Sequence, residues 1–497
     1  MGTSPTTAVS TSGAAVRRGG PPTRWVALIL LGEVMLSLAL GFHALRRKSL
    51  WYDEAFSAMA AGRGLAGAWD VARNLDANMP LYVHGLGVWR VLGDGEATLR
   101  ALSVVAAAAS VVAVYLLAAR LFDRWTGLLA GFLLAIAPFA VRYSQELRGY
   151  SLLLVLGALS SFAFVSAIDS HRRSWFVLYA VATAAAFYAH LAAAFVVVAQ
   201  LVSLWFIERD AIPKRPLVPA LGLTALLLVP LGLFVVSAAD SQGTPERPNL
   251  RSVPRYLANA AGGLPLLFVY AGLAVVPIVS FIAAWRATGR SRDTWRLAFV
   301  LASVAVPFVG LLAVAVVQQR GWHDRYLIVL LPGIVICAAV TLRRIPSRMA
   351  VIGVLVVIAT LSGVKIRHWY RGPSLHDWRG AVAYVARQSR PGDGIVFCYP
   401  YHRIPFEYYW LEHPEAALDP ISPADPWSRY VHVEPVAPGD VAWQRPRRVW
   451  VLPYDRWRRT GVCERPAVTA GRTRAVRRVT GSIVIERYDR DDVGRSE

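Results

Sequence analysis

About eleven times between Trp25 and Val364 the chain returns to an apolar run long enough to cross the roughly 30 Å hydrocarbon layer of a bilayer. No other feature limits the fold as strongly. A segment in lipid must satisfy its own backbone hydrogen bonds, so each run has to be a helix. The runs are residues 25–45, 101–118, 126–141, 151–168, 175–189, 191–207, 217–237, 264–284, 297–317, 326–342 and 349–364. With 55% of 497 residues hydrophobic and 17% charged, the composition excludes an ordinary soluble multidomain protein. The sequence predicts an α-helical polytopic membrane protein whose surroundings are membrane lipids.

Lys and Arg outnumber Asp and Glu by 53 to 32, a net charge of +21 that by itself could point to nucleic acid. The basic residues instead cluster in short gaps between apolar runs: Arg172 with Arg173, Lys214 with Arg215, Arg286 to Arg296, and Arg343 to Arg348. Cytoplasmic loops carry this excess. No basic stripe or zinc-ligand spacing supports a nucleic-acid partner. With the N-terminus in the cytoplasm, an odd number of spans places both the first loop and the C-terminal region on the outer side.

Three regions follow. Residues 1–23, rich in Ser, Thr, Gly and Pro, read as a disordered cytoplasmic tail. Residues 24–364 form the transmembrane domain, with 46–100 as its first extracytoplasmic loop. Residues 365–497 change texture: Trp378, Val382 and Val385 fall at helical spacing, a Pro391-Gly392-Asp393-Gly394 turn follows, and β-rich runs lie at 395–399, 449–452 and 482–488. A small extracytoplasmic α/β domain fits. Of three cysteines, Cys337 lies in an apolar run, while Cys398 and Cys463 are equally consistent with a bridge and with separate thiols.

Four features gather on the outer face in this topology. They are Trp51-Tyr52-Asp53-Glu54; the stretch from Asp76 to Tyr82, with His84 two residues on; Arg142 to Tyr150, carrying Glu146 and Arg148; and Trp322-His323-Asp324-Arg325-Tyr326. Asp53 and Glu54 follow the first span, near the headgroup layer where a lipid-linked phosphate and its sugar would lie. Moving that sugar to a hydroxyl needs a general base, for which Asp53 is the choice with Glu54 beside it. It also needs cations for the departing phosphate, for which Arg148 and Arg325 are placed, with Arg46, Arg47 and Lys48 in reserve. Plainer readings stand alongside. The two acids suit the start of an interfacial helix, Asp76 suits a cap, His84 and His323 suit structural roles, and Arg325 with Tyr326 suits a helix-end anchor.

Taken in order, Trp51-Tyr52-Asp53-Glu54, Pro80-Leu81-Tyr82, Tyr143-Ser144-Gln145-Glu146-Leu147-Arg148 and Arg325-Tyr326-Leu327 resemble the GT-C superfamily of membrane glycosyltransferases. The branch is that of protein O-mannosyltransferases and the lipid A aminoarabinose transferase. The resemblance runs from Trp25 to Leu342, and residues 377–399 resemble soluble tails of bacterial members. It implies a GT-C type fold in a bacterial plasma membrane and a polyprenyl-phosphate sugar as donor. The acceptor would be a cell-envelope glycan, lipid or protein hydroxyl. Transfer would invert the anomeric centre with Asp53 as base. Arg148, Arg325 and Tyr326 would attend the phosphate, and Trp51, Tyr52, Asp76, Tyr82, His84, Glu146 and His323 would line the substrate site. Many relatives have His-Pro-Pro where this chain has Asn78-Met79-Pro80, which weakens the case for a metal and leaves a divalent cofactor open. A sugar-lipid flippase or transporter is the alternative, although transporters concentrate their binding groups near the midplane.

Overall fold

The computed structural model describes residues 22–74, 78–237, 250–317, 323–374, 376–397, 402–411, 413, 418–421, 446–453 and 471–490. Cys398, Cys463, Asp76 and Trp322, and with them the disulfide question, lie outside these residues. Helix α1 (Thr23–Phe42) leads into the first loop, which is more ordered than expected and folds as α2 (Tyr52–Gly62), α3 (Gly64–Asn74) and α4 (Pro80–Trp89). Next come α5 (Glu96–Leu121), α6 (Arg124–Ala135), α7 (Pro138–Ser144), α8 (Tyr150–Ser170), α9 (Arg173–Ala189), α10 (Ala193–Ser203) and α11 (Lys214–Ser237). The bundle is completed by α12 (Val253–Ala261), α13 (Leu264–Thr288), α14 (Arg292–Val317), α15 (Leu331–Arg344) and α16 (Arg348–Arg371).

Every expected apolar run is helical, but fewer are long enough to span. Among the described residues, 8 helices have the length and apolar character to cross a bilayer, or 9 if α6 and α7 form one bent span. That pair turns by 59°, because Pro138 has no amide hydrogen to continue α6 and instead starts α7 at its first turn. The expected runs at 175–189 and 191–207 fall short because His190 adopts extended backbone and ends α9 after 17 residues. The protein is a multi-pass membrane protein. Its centre is α5, α8 and α15, which are mostly buried, and α1, α11, α13, α14 and α16 form a lipid-facing rim. Alanine and serine line the buried sides of α5 and α8, so the helices approach closely where apolar bulk would hold them apart.

The C-terminal region is the expected small α/β unit. It holds α17 (Trp378–Gln388), β1 (Asp393–Phe397), α18 (Arg403–Trp410), β2 (Leu418–Ile421), β3 (Arg448–Leu452), β4 (Arg472–Thr480) and β5 (Ile483–Arg490). The sheet order is β2-β1-β3-β5-β4, parallel across β2, β1 and β3 and antiparallel across β3, β5 and β4. Trp378 and Trp450 anchor its core. This unit grips the first loop directly. Tyr409 of α18 accepts the Leu50 amide at 2.7 Å and donates to Glu96, the Trp378 amide donates to Ser49 Oγ at 3.1 Å, and Arg379 pairs with Glu96.

Candidate active site

A polar cavity of about 340 Å³ lies where the first loop, the turn after α7, the start of α15's leading turn and the linker to the C-terminal unit meet. Its wall includes Trp51, Glu54, Arg142, Glu146, His323 and Arg325. The sequence placed all six in its outer-face motifs. Arg47, Lys48, Arg100, Tyr143, Asp324, Trp369, Tyr370 and His376 complete the charged and aromatic lining.

The two neighbouring acids of the first loop face different partners. Glu54 receives Arg100 Nε at 2.8 Å and Nη2 at 2.7 Å, the Leu147 amide at 2.8 Å and the Trp51 amide at 3.3 Å. Side-chain exposure is 2% for Glu54 and 4% for Arg100. With both oxygens engaged, Glu54 closes the first turn of α2 and ties it to the turn after α7. Among the described residues Asp53 has one charged partner, Arg325 Nη1 at 2.9 Å, and both side chains are partly open, at 16% and 20% exposure. Arg325 also lies over the Trp51 and Tyr326 rings.

Other expected site residues sit behind this wall. Arg148, expected at the phosphate, turns inward, where its Nη1 donates to Ser57 Oγ at 3.2 Å and to the Asp53 carbonyl at 3.4 Å. It positions the backbone of Asp53. Gly149 beside it packs so tightly that a Cβ would lie 2.8 Å from the Ala189 carbonyl, which keeps the turn flush against α4 and α9. Tyr82 is fully buried under this turn and shares a 2.8 Å hydrogen bond with Ser103. His84 is directed to the Pro80 carbonyl at 2.7 Å and to the Trp69 ring, away from the cavity. Tyr52 stacks on Phe56. Tyr326 packs against His190 and His323. His190, bonded to Asn78 at 3.3 Å, is pushed down to about 3 by burial and by Arg148 and Arg325, and so stays neutral.

Sequence reasoning missed Arg100 and Trp369. Arg100 stands at the head of an apolar run, where a snorkelling arginine is unremarkable. Trp369 lies near the end of the last span and reads as a belt residue. In the structure Lys48 Nζ sits 2.9 Å from the centre of the Trp369 ring and Arg142 lies 5.2 Å from it, so two cations approach one aromatic ring. Burial lowers the Lys48 amine to about 8, with Arg142 adding to the effect. Burial lifts the Glu146 carboxyl to about 7, against the pull of Arg142. Among the described residues no three His, Cys, Asp or Glu side chains gather as a metal site. Asp53, Glu54, Glu146 and Asp324 each lie against an arginine. This donor set suits anion binding by guanidinium groups.

Residues 79–234 match the family model described as dolichyl-phosphate-mannose-protein mannosyltransferase. No curated protein sequence is significantly similar to the chain. Among solved structures, ArnT from Cupriavidus metallidurans bound to undecaprenyl phosphate superposes with a TM-score of 0.62 at 14% identity, over 94% of this chain and 98% of that one. The chain has the GT-C fold. The oligosaccharyltransferase AglB from Archaeoglobus fulgidus, in complex with an inhibitory peptide and a dolichol-phosphate, matches with a TM-score of 0.57 at 13% identity. That match covers 86% of this chain and 69% of AglB. A structure of the Archaeoglobus fulgidus oligosaccharyltransferase tethered to an acceptor peptide matches at 0.55 and 12% identity, over 82% of this chain and 64% of that one.

Proposed function

We propose that this GT-C protein transfers a sugar from a polyprenyl-phosphate donor to a hydroxyl of a cell-envelope acceptor at the outer leaflet of a bacterial plasma membrane. One observation carries the reading: Asp53, at the start of α2, is held by Arg325 at the margin of a cavity lined with guanidinium groups. In the resting protein Arg325 occupies Asp53 Oδ2. A donor phosphate competes for the same guanidinium, so its arrival both neutralises the phosphate and frees the carboxylate. The acceptor oxygen then attacks the anomeric carbon as its proton passes to Asp53. The bond from that carbon to the phosphate oxygen breaks, and its electron pair leaves with the polyprenyl phosphate. One displacement inverts the anomeric centre and needs no covalent enzyme intermediate. Oriented cations assist because negative charge grows on the phosphate as the bond breaks. The match to a protein mannosyltransferase model, and relatives in fold captured with undecaprenyl phosphate and dolichol-phosphate, support a lipid-phosphate donor.

The test is transfer by purified protein from polyprenyl-phosphate sugars, with mass spectrometry of envelope glycans and lipids from cells with and without the gene to name the product. A new glycosidic bond that disappears in Asp53→Asn supports the reading. Sugar-lipid crossing liposomes with no new bond, or full transfer by Asp53→Asn, overturns it.

A further inference from the structure

The C-terminal unit carries a concentration of positive charge of its own. β4 is the edge strand of the sheet, and among the described residues it pairs only with β5. Arg472, Arg474, Arg477 and Arg478 stand in this strand with no acid beside them, and every residue of it is exposed or half-buried. The register slips between Arg474 and Val476, so Ala475 has no partner, and Arg474 and Arg477 come to one face although three residues apart. There they share a carboxylate. Glu486 receives Arg474 Nη1 at 3.2 Å and Arg477 Nε at 3.5 Å, with side-chain exposure of 5% for the acid against 49% and 45% for the arginines. One buried negative charge thus holds two half-exposed positive ones in fixed positions. Arg478 lies on the opposite face, its guanidinium 4.3 Å from the centre of the Tyr384 ring of α17.

This strand leads to the polar cavity. The turn at its end bridges through Gly481 to His376, and Ser482 Oγ lies 2.8 Å from His376 Nδ1. His376 belongs to the cavity wall. From that turn back to Arg472 an extended strand covers roughly 27 Å at about 3.3 Å per residue, so the arginines mark a path leading away from the cavity. Charges on an edge also discourage pairing between molecules, a role that needs neither a single sign nor the Glu486 clamp. The path selects its occupant. A bilayer surface would meet one face of the edge, whereas these cations stand on both. An acidic peptide adding as a further strand needs a regular ladder, which the bulge at Ala475 interrupts. The diverging free oxygens of a phosphodiester can reach two guanidinium groups flanking Glu486, whereas a planar carboxylate suits a single fork. A flexible chain of hydroxyl-bearing units joined by phosphodiesters fits the spread of charge and supplies the hydroxyl that transfer consumes.

We propose that β4 holds a phosphodiester-linked polyol or glycan chain as the acceptor and leads one of its hydroxyls past His376 into the cavity; this rests on the transfer reading above and names its acceptor class. The test uses full-length protein in detergent, with a glycerol-phosphate oligomer as probe and no sugar donor present. Arg474→Gln with Arg478→Gln takes one cation from each face of the strand and leaves Arg477 on Glu486. It should weaken oligomer binding roughly tenfold or more, because two charge-assisted contacts are lost. Arg387→Gln with Arg390→Gln removes the same charge from exposed positions off the strand and should match wild type.

Separately, a photoreactive oligomer should label residues 472–478 of wild-type protein, which reads the surface without any substitution. Equal loss of binding in the two double variants, labelling confined to other segments, or binding no tighter than that of neutral dextran would overturn the proposal. So would short-chain phosphatidylglycerol or poly-glutamate that binds more tightly than the oligomer and is lost in the β4 variant. The oligomer bound along β4 by a protein that transfers no sugar would leave the surface standing and remove the transfer reading. Transfer to neutral acceptors alone, unchanged in the β4 variant, would keep the transfer reading and remove this one.

Discussion

Two ion pairs one residue apart on the first loop show how the same chemistry serves opposite ends. Glu54 and Arg100 form a sealed pair with two guanidinium contacts and two backbone amides, almost free of solvent. Asp53 and Arg325 form one contact at a cavity margin, and both side chains stay partly open. A pair with every lone pair filled cannot exchange partners at low cost, whereas a pair with one contact can. The difference separates a strut from a latch, although both acids come from the same dipeptide.

The largest expected effect strikes the latch. Asp53→Asn should lower kcat by roughly 100- to 10,000-fold, the usual range for losing a general base, while thermal stability and expression in detergent stay near wild type. Collapse of the fold would show that Asp53 is a second strut. Breaking the strut should give the converse result. Glu54→Ala leaves buried Arg100 with only the more distant Glu96, at 3.9 Å, as counter-charge, at a cost of up to about 3–5 kcal/mol, and should appear as poor folding yield or a lowered melting temperature. A stable Glu54→Ala protein with activity lost would make Glu54 catalytic after all. Next in size, Arg325→Ala should raise donor KM roughly tenfold to hundredfold, since a charge-assisted phosphate contact contributes about 1.5–3 kcal/mol, with a smaller change in acceptor KM. Equal changes in both would detach the latch from the phosphate.

The smallest effects are those of pH, and they come from the cavity wall between the two pairs. Burial raises the Glu146 carboxyl to about 7 in the folded protein, so from about pH 4.5 to 7 the folded state holds a proton that the unfolded state has lost. Stability contributed by this group therefore falls as pH rises through that window. Wild type should melt lower at pH 8 than at pH 5, and Glu146→Gln should narrow the gap. Lys48, lowered to about 8, loses its charge above that pH. Donor KM should climb there in wild type and stay flatter in Lys48→Arg.

The helices were legible in the sequence because a chain in lipid has few other ways to satisfy its backbone, and each apolar run became a helix. Where they stop was less legible. Pro138 announces the bend between α6 and α7, but the extended backbone at His190 depends on its contact with Asn78, which arrives from the first loop. The motifs converge on one cavity because each follows or precedes an apolar helix at the same end of the bundle. Which member of a motif faces the cavity is a tertiary matter. Arg148 and Arg325 look alike in sequence; one turns under α2 and the other stands beside Asp53. The Glu54–Arg100 pair, 46 residues apart, has no local signal, since any of several nearby arginines could have filled the role.

The grip of Tyr409, Trp378 and Arg379 on the Leu50 to Glu96 region has a bearing on how the protein is made. The loop that bears Asp53 leaves the ribosome hundreds of residues ahead of the strap that holds it down. A nascent chain threaded into the bilayer therefore waits, unfinished, until its last segment has folded. Chains truncated before Asp377 should leave that loop open to protease, and a loop equally resistant in truncated and complete chains would show that it matures unaided.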